Sequence, residues 1–165
     1  MKKILVIGCP GSGKSTLSER LAKALDLELI HLDRINWIND HHTLSRAEFD
    51  DQLEKVLSKD RWIIDGNYNR TLSRRLIAAD TVIWLDLPRT LCIYRILKRF
   101  VKAKMLHKGT FGNPNKIEKD FLNFVWNFNK TNRPLILNAL SNCSDKRILI
   151  LKANKEIKQI KKILT

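Results

Sequence analysis

The stretch Gly8-Cys9-Pro10-Gly11-Ser12-Gly13-Lys14-Ser15-Thr16 places three glycines, a lysine and consecutive hydroxyls within nine residues. It fits G-x-x-x-x-G-K-[ST], and it lies between an apolar run and a helical pattern, the setting this motif needs. Glycines let the backbone curl until successive N–H groups face inward, a concavity suited to phosphate oxygens. A helix starting behind the turn adds unpaired N–H groups and the positive end of its dipole. Lys14 supplies a mobile charge for the β- and γ-phosphates of a nucleoside triphosphate, and Ser15 a hydroxyl ligand for Mg²⁺. ATP and Mg²⁺ are the expected ligands. Gly8, Pro10, Gly11, Ser12, Gly13, Lys14, Ser15 and Thr16 form the cradle.

Other residue types recur at telling places. Asp33, Asp65 and Asp86 fall at the ends of strand-like runs, and ligands of open α/β sheets collect outside the carboxyl ends of strands. Asp33 also suits a cap for the segment that follows, and Asp65 and Asp86 suit plain turns. Arg95 and Arg99 are four residues apart, so a helix would present them on one face. Solvated helix charge is the alternative for that pair.

The elements that must hold these groups follow from apolar patterning. Lys3–Ile7, Glu28–Leu32, Trp62–Asp65, Thr81–Asp86 and Arg147–Leu151 read as strands buried on both faces. Ser15–Leu25, Ser45–Ser58, Thr71–Ala78 and Arg89–Met105 carry apolar residues at helical spacing. Ser45 with Glu48 three residues on forms a capping box. This alternation predicts a parallel α/β sheet. Phe121, Phe124, Val125 and Phe128 share one helical face, which reads as core rather than as a platform for bases. Asn154–Leu164 reads as a surface helix with solvated lysines. Between Met105 and the aromatic stripe, "HKGTFGNPN" marks a flexible loop.

Composition sets the limits. The 165 residues, 44% of them hydrophobic, suit a single domain spanning residues 1–165. The apolar run Ile4–Ile7 is too short for a secretory leader, and no stretch is long enough for a membrane span, so a cytoplasmic protein without a membrane partner is expected. Cys9, Cys92 and Cys143 are far apart and without a C-x-x-C or Cys/His pairing, which argues against a disulfide framework or zinc site. Cys9 reads as a small filler whose oxidation would block the loop. The net charge of +14 is lopsided: residues 91–165 hold 17 Lys/Arg against 4 Asp/Glu, and residues 1–90 hold 14 against 13. Such a half suits nucleic acid, an acidic surface or a pocket for polyanions.

The loop, "HLDRINW", "WIIDGNYNRT", "DTVIWLDLPR" and the arginines of "YRILKRF" together resemble the P-loop kinases related to adenylate and shikimate kinases, within them the family labelled DNA topology modulation protein. The resemblance covers essentially the whole chain. It implies a three-layer P-loop NTPase fold with a five-stranded parallel sheet of order 2-3-1-4-5 and a short mobile lid at about residues 106–116. It also implies roles. Asp33 would contact a small-molecule acceptor as ligand or general base, with Arg34 beside it. Asp65 would join Ser15 at Mg²⁺ through the ion's bound water. Arg95 and Arg99 would clamp phosphates, Arg133 would be a further lid-side arginine at the substrates, and Arg70 would grip the acceptor, although the family's "DGxPR" reads "DGNYNR" here. Ile35, Trp37, Ile38 and Tyr68 line an acceptor pocket or belong to the core. Two functions follow: a kinase for a nucleotide, nucleoside or other small hydroxylated acceptor, or a nucleic-acid-associated P-loop protein using its basic half.

Overall fold

The structure is a computed structural model that describes residues 1–37, 42–105 and 119–164. Five strands form one sheet: β1 (Lys3–Gly8), β2 (Leu29–His31), β3 (Trp62–Asp65), β4 (Thr81–Leu85) and β5 (Arg147–Leu151). All pairings are parallel and the order is β2-β3-β1-β4-β5, as the resemblance implies. The expected lid, and Ile38 with it, lie outside the described residues.

Seven helices flank the sheet among the described residues: α1 (Lys14–Leu25), α2 (Leu32–Asn36), α3 (Arg46–Leu57), α4 (Leu72–Ala78), α5 (Arg89–Met105), α6 (Lys119–Ser141) and α7 (Asn154–Leu164). Alternation along the inner strands sends side chains to two cores, because successive residues of a strand point to opposite faces. Ile4, Val6, Ile63, Ile83 and Leu85 meet Leu17 and Leu21 of α1 and Ile160 of α7. Leu5, Ile7, Trp62, Ile64, Val82 and Trp84 meet the apolar faces of α3, α4, α5 and α6. The three-layer arrangement follows from these two contacts. β1, β3 and β4 are buried throughout apart from partly covered Lys3, which is why their sequences are continuous apolar runs.

Local signals set most boundaries. The Ser45 side chain accepts from Glu48 N at 3.2 Å and Glu48 reaches back to Ser45 N at 2.9 Å, so the capping box forms as read. Two boundaries differ from the sequence reading. β2 stops at His31, and Asp33 lies in the first turn of α2 rather than at the strand end. Leu32 turns its side chain fully into the core, and Trp37 N bonds back to Asp33 O, closing a helical turn. The aromatic stripe belongs to a helix that continues through Pro134, with Asn132, Ile136 and Leu140 extending its buried face at four-residue steps. Within the stripe Val125 and Phe128 are core, whereas Phe124 is 43% exposed.

Candidate functional site

β1 ends in the middle of the sheet and delivers the glycine-rich turn to the carboxyl edge, where α1 begins. Two glycines there have no substitute. Gly8 has φ 149° and a Cβ on it would stand 2.6 Å from Leu85 O; Gly11 has φ 79° and its Cβ would stand 2.4 Å from Cys92 O. Both the left-handed backbone and the close approach exclude larger residues. α1 starts without a side-chain cap, so its first N–H groups remain available to an anion. Ser12 Oγ is buried without a partner beneath the turn. Lys14 folds back so that Nζ donates to Cys9 O at 3.3 Å.

Beside the loop, β3 places Asp65 only 4% exposed. Burial pushes its carboxyl up, but hydrogen bonds from His31 and Ser15 and the charge of Lys14 outweigh this and hold it below the ordinary aspartate range. His31 Nδ1 lies 3.1 Å from Asp65 Oδ2. Ser15 is near enough to lower the Asp65 carboxyl, and their hydroxyl and carboxylate oxygens suit a hard cation such as Mg²⁺ together with water and phosphate oxygens. Among the described residues no group of three or more His, Cys, Asp or Glu converges.

The opposite wall comes from α5 and α7. Arg95 donates to Ser12 O at 2.8 Å and to Asn154 Oδ1. A cavity of about 480 Å³ runs between Gly11–Thr16 of the loop and Arg20, Arg95, Arg99, Asn154 and Ile157. The loop and both α5 arginines are therefore brought together in one concavity.

The remaining candidates do not line that cavity. Asp33 and Arg34 are exposed on α2, and Asp33 Oδ1 accepts from the Tyr68 hydroxyl at 3.0 Å. Burial, then the Asp33 charge and bond, push the Tyr68 phenol up. Tyr68 also stacks on Phe49 with centroids 5.0 Å apart, so it serves both core and site edge. Arg70 sits in a 3-10 turn, Asn69–Thr71, and is held by Asp50 of α3 through bonds of 2.8 and 2.6 Å. Arg133 grips Asp86 through Nε and a terminal nitrogen at 3.0–3.1 Å, with Trp84 beneath it. Asp86 is thus an arginine partner rather than only a turn.

Three contributors escaped the sequence reading. Asn67 accepts from Gly8 N at 3.2 Å and ties the end of β3 to the phosphate loop. Asn154 partners Arg95. Arg75 is fully buried on α4 and donates to the carbonyls of Gly66 at 2.8 Å, Tyr68 at 2.9 Å, and Asn67. Burial without a carboxylate partner pushes its guanidinium down to about 10. Its signal was present: Leu72, Arg75 and Leu76 share one face of α4, which puts the arginine on the apolar side.

Several solved structures share this fold. A shikimate kinase from Acinetobacter baumannii in complex with shikimate superposes with a TM-score of 0.64 at 16% identity, covering 99% of this chain and 90% of that one. A shikimate kinase from Bacteroides thetaiotaomicron gives 0.58 at 16% identity over 98% and 94% of the two chains. A gluconokinase from Sinorhizobium meliloti 1021 gives 0.52 at 14% identity over 98% and 87%. At such identities the likeness is one of fold. No curated protein sequence matches the chain. A family model does: with the phosphate loop, Asp65 and the arginines of α5 all inside the matched residues 4–108, the chain belongs to the AAA domain family.

Proposed function

We propose that the protein is an ATP- and Mg²⁺-dependent kinase that transfers the γ-phosphoryl group to a small hydroxylated acceptor such as a nucleotide or nucleoside. The observation that carries this reading is the cavity in which the loop faces both Arg95 and Arg99, with buried Asp65 close by at the end of β3. Phosphoryl transfer needs positioning and positive charge around the migrating group more than covalent chemistry. Two guanidiniums opposite the loop supply such charge, and their planar donors suit phosphate oxygens better than lysine does.

In this reading the loop N–H groups and Lys14, released from Cys9 O, bind the phosphates. Ser15 directly and Asp65 through bound water would hold Mg²⁺, which when bound neutralises phosphate oxygens. Asp33, oriented by the Tyr68 hydroxyl, meets the acceptor hydroxyl, with Arg34 alongside. Arg70 and Arg133 reach an acceptor only by leaving Asp50 and Asp86, so an anionic acceptor is the group able to draw them. The fold neighbours named shikimate kinase and gluconokinase support including hydroxy acids beside nucleotides among the acceptors tried.

The test is ADP release with Mg²⁺ and ATP against nucleotides, nucleosides and hydroxy acids. Acceptor-dependent turnover that falls about 10²–10³-fold in Lys14→Ala is expected, the scale of losing one transition-state charge contact. ATP binding with no acceptor-dependent ADP from any compound would sink the kinase reading.

A further inference from the structure

Beneath the phosphate loop lie two thiols that no catalytic step uses. Cys9, the second residue of the loop, is 2% exposed and Cys92, in the opening turns of α5, is 0% exposed; both belong to one apolar cluster. Their thiols lie near enough to each other to perturb one another's ionisation. Loop and helix are pressed together at this point, since the missing Cβ of Gly11 faces Cys92 O and Arg95, less than one turn on, holds Ser12 O. The Cys9 sulfur also approaches Val125 O at 4.0 Å. Cys143 sits apart, after the end of α6, its thiol directed at Ala139 O.

We propose that Cys9 and Cys92 form a reversible oxidation site, at which a disulfide between them shuts off nucleotide binding. Small peroxides are the oxidant class. The Cys92 sulfur attacks one peroxide oxygen, the O–O bond breaks, and the departing hydroxide takes a proton to leave as water. Cys9 then attacks the resulting sulfenic sulfur, the S–S bond forms, the S–O bond breaks, and the hydroxyl leaves with the Cys9 proton as a second water. Each sulfur loses one electron and hydrogen peroxide gains two. Cys92 is the nucleophile because it sits less than one turn before Arg95, which reaches across to Ser12 O, and the neighbouring Cys9 thiol with the Lys14 and Arg95 charges lowers its thiol against the opposing effect of burial. Gly11, packed on Cys92, is itself a wall of the nucleotide cavity, so one thin layer separates the pair from the opening.

The consequence follows from bond length. An S–S bond of about 2.05 Å is far shorter than any non-bonded approach of two sulfurs, so Cys9 is drawn onto α5. The carbonyl of Cys9 anchors both Ser12 N, at 3.0 Å, and Lys14 Nζ, so the curl that receives phosphates moves with it. This effect rests on the phosphate-loop reading above, whereas the sulfur chemistry does not.

The experiment treats the full chain with hydrogen peroxide, maps linked peptides by mass spectrometry, and measures ATP affinity by calorimetry before oxidation, after it, and after dithiothreitol. A Cys9–Cys92 peptide, at least about tenfold weaker ATP binding and full recovery on reduction are expected. Cys92→Ala and Cys92→Ser are expected to keep their ATP binding under peroxide, and Cys143→Ala to lose it like the unaltered chain. A peptide map without the Cys9–Cys92 link, a link with unchanged affinity, or equal loss in both Cys92 variants would each overturn the proposal. If the reduced protein binds no ATP, the phosphate-loop reading falls and takes the nucleotide effect with it, while the peptide map still decides whether the site exists.

Discussion

Tyr68 joins two demands in one side chain: its ring stacks on Phe49 in the core and its hydroxyl aims at Asp33. Its backbone sits at φ 33°, a left-handed conformation uncommon for a bulky residue, so the surrounding contacts must fix it there. Tyr68→Phe keeps the stack and removes only the hydroxyl. Acceptor KM is expected to rise several-fold in steady-state assays while ATP affinity by calorimetry stays put; equal changes in both would argue that Tyr68 serves packing alone. Asp65 gives a prediction with a sign. Its folded pKa lies below the unfolded value, so its stabilising contribution is complete above about pH 3.9 and fades as pH falls through the lower folded value. In acid titrations followed by circular dichroism, Asp65→Asn is expected to lose less stability than the unaltered chain across that window.

At the scale of elements, α4 works as a rack. Arg75 reaches back from it to three successive carbonyls between β3 and the 3-10 turn, and that segment carries Asn67 to the loop and Tyr68 to Asp33. Arg75→Met leaves those carbonyls buried without donors and is expected to cost about 3 kcal/mol or more in denaturant unfolding. Arg75→Lys keeps the charge but not the fork, and falls between. Ser45→Ala removes the α3 cap and is expected to lower Tm by a few degrees, without altering ATP affinity. These elements also show what sequence can reveal. The strands and α1, α3, α4 and α5 were legible within a residue or two, because apolar period and caps are local signals. The phosphate loop was legible for the same reason, its residues being contiguous. Asn67, Asn154 and the bidentate partners of Arg70 and Arg133 were not, since each acts on a residue at least 20 positions away and no periodicity encodes such a pairing. α2 was missed because a five-residue helix is too short to show a period.

Across the whole molecule, the positive charge of +14 has little acid to offset it in the second half of the chain. Crowded cations repel, and salt screens them over about 10 Å at 0.1 M. Raising sodium chloride from about 20 to about 200 mM is therefore expected to increase Tm in scanning calorimetry. A fall in Tm would mean that favourable ion pairs such as Arg133–Asp86 outweigh the repulsion.

The position of β1 has a consequence in time. It precedes the other four strands, yet its neighbours are β3 and β4, so Lys3–Gly8 has no strand of this sheet to pair with until Trp62–Asp65 has been synthesised. The cavity wall needs Asn154 and Ile157 as well. At about 5–20 residues per second, the ribosome leaves the apolar first strand unpaired for several seconds. Of the five strands β1 thus waits longest for a partner, and the cavity beside the glycine-rich loop closes only once α7 has been made.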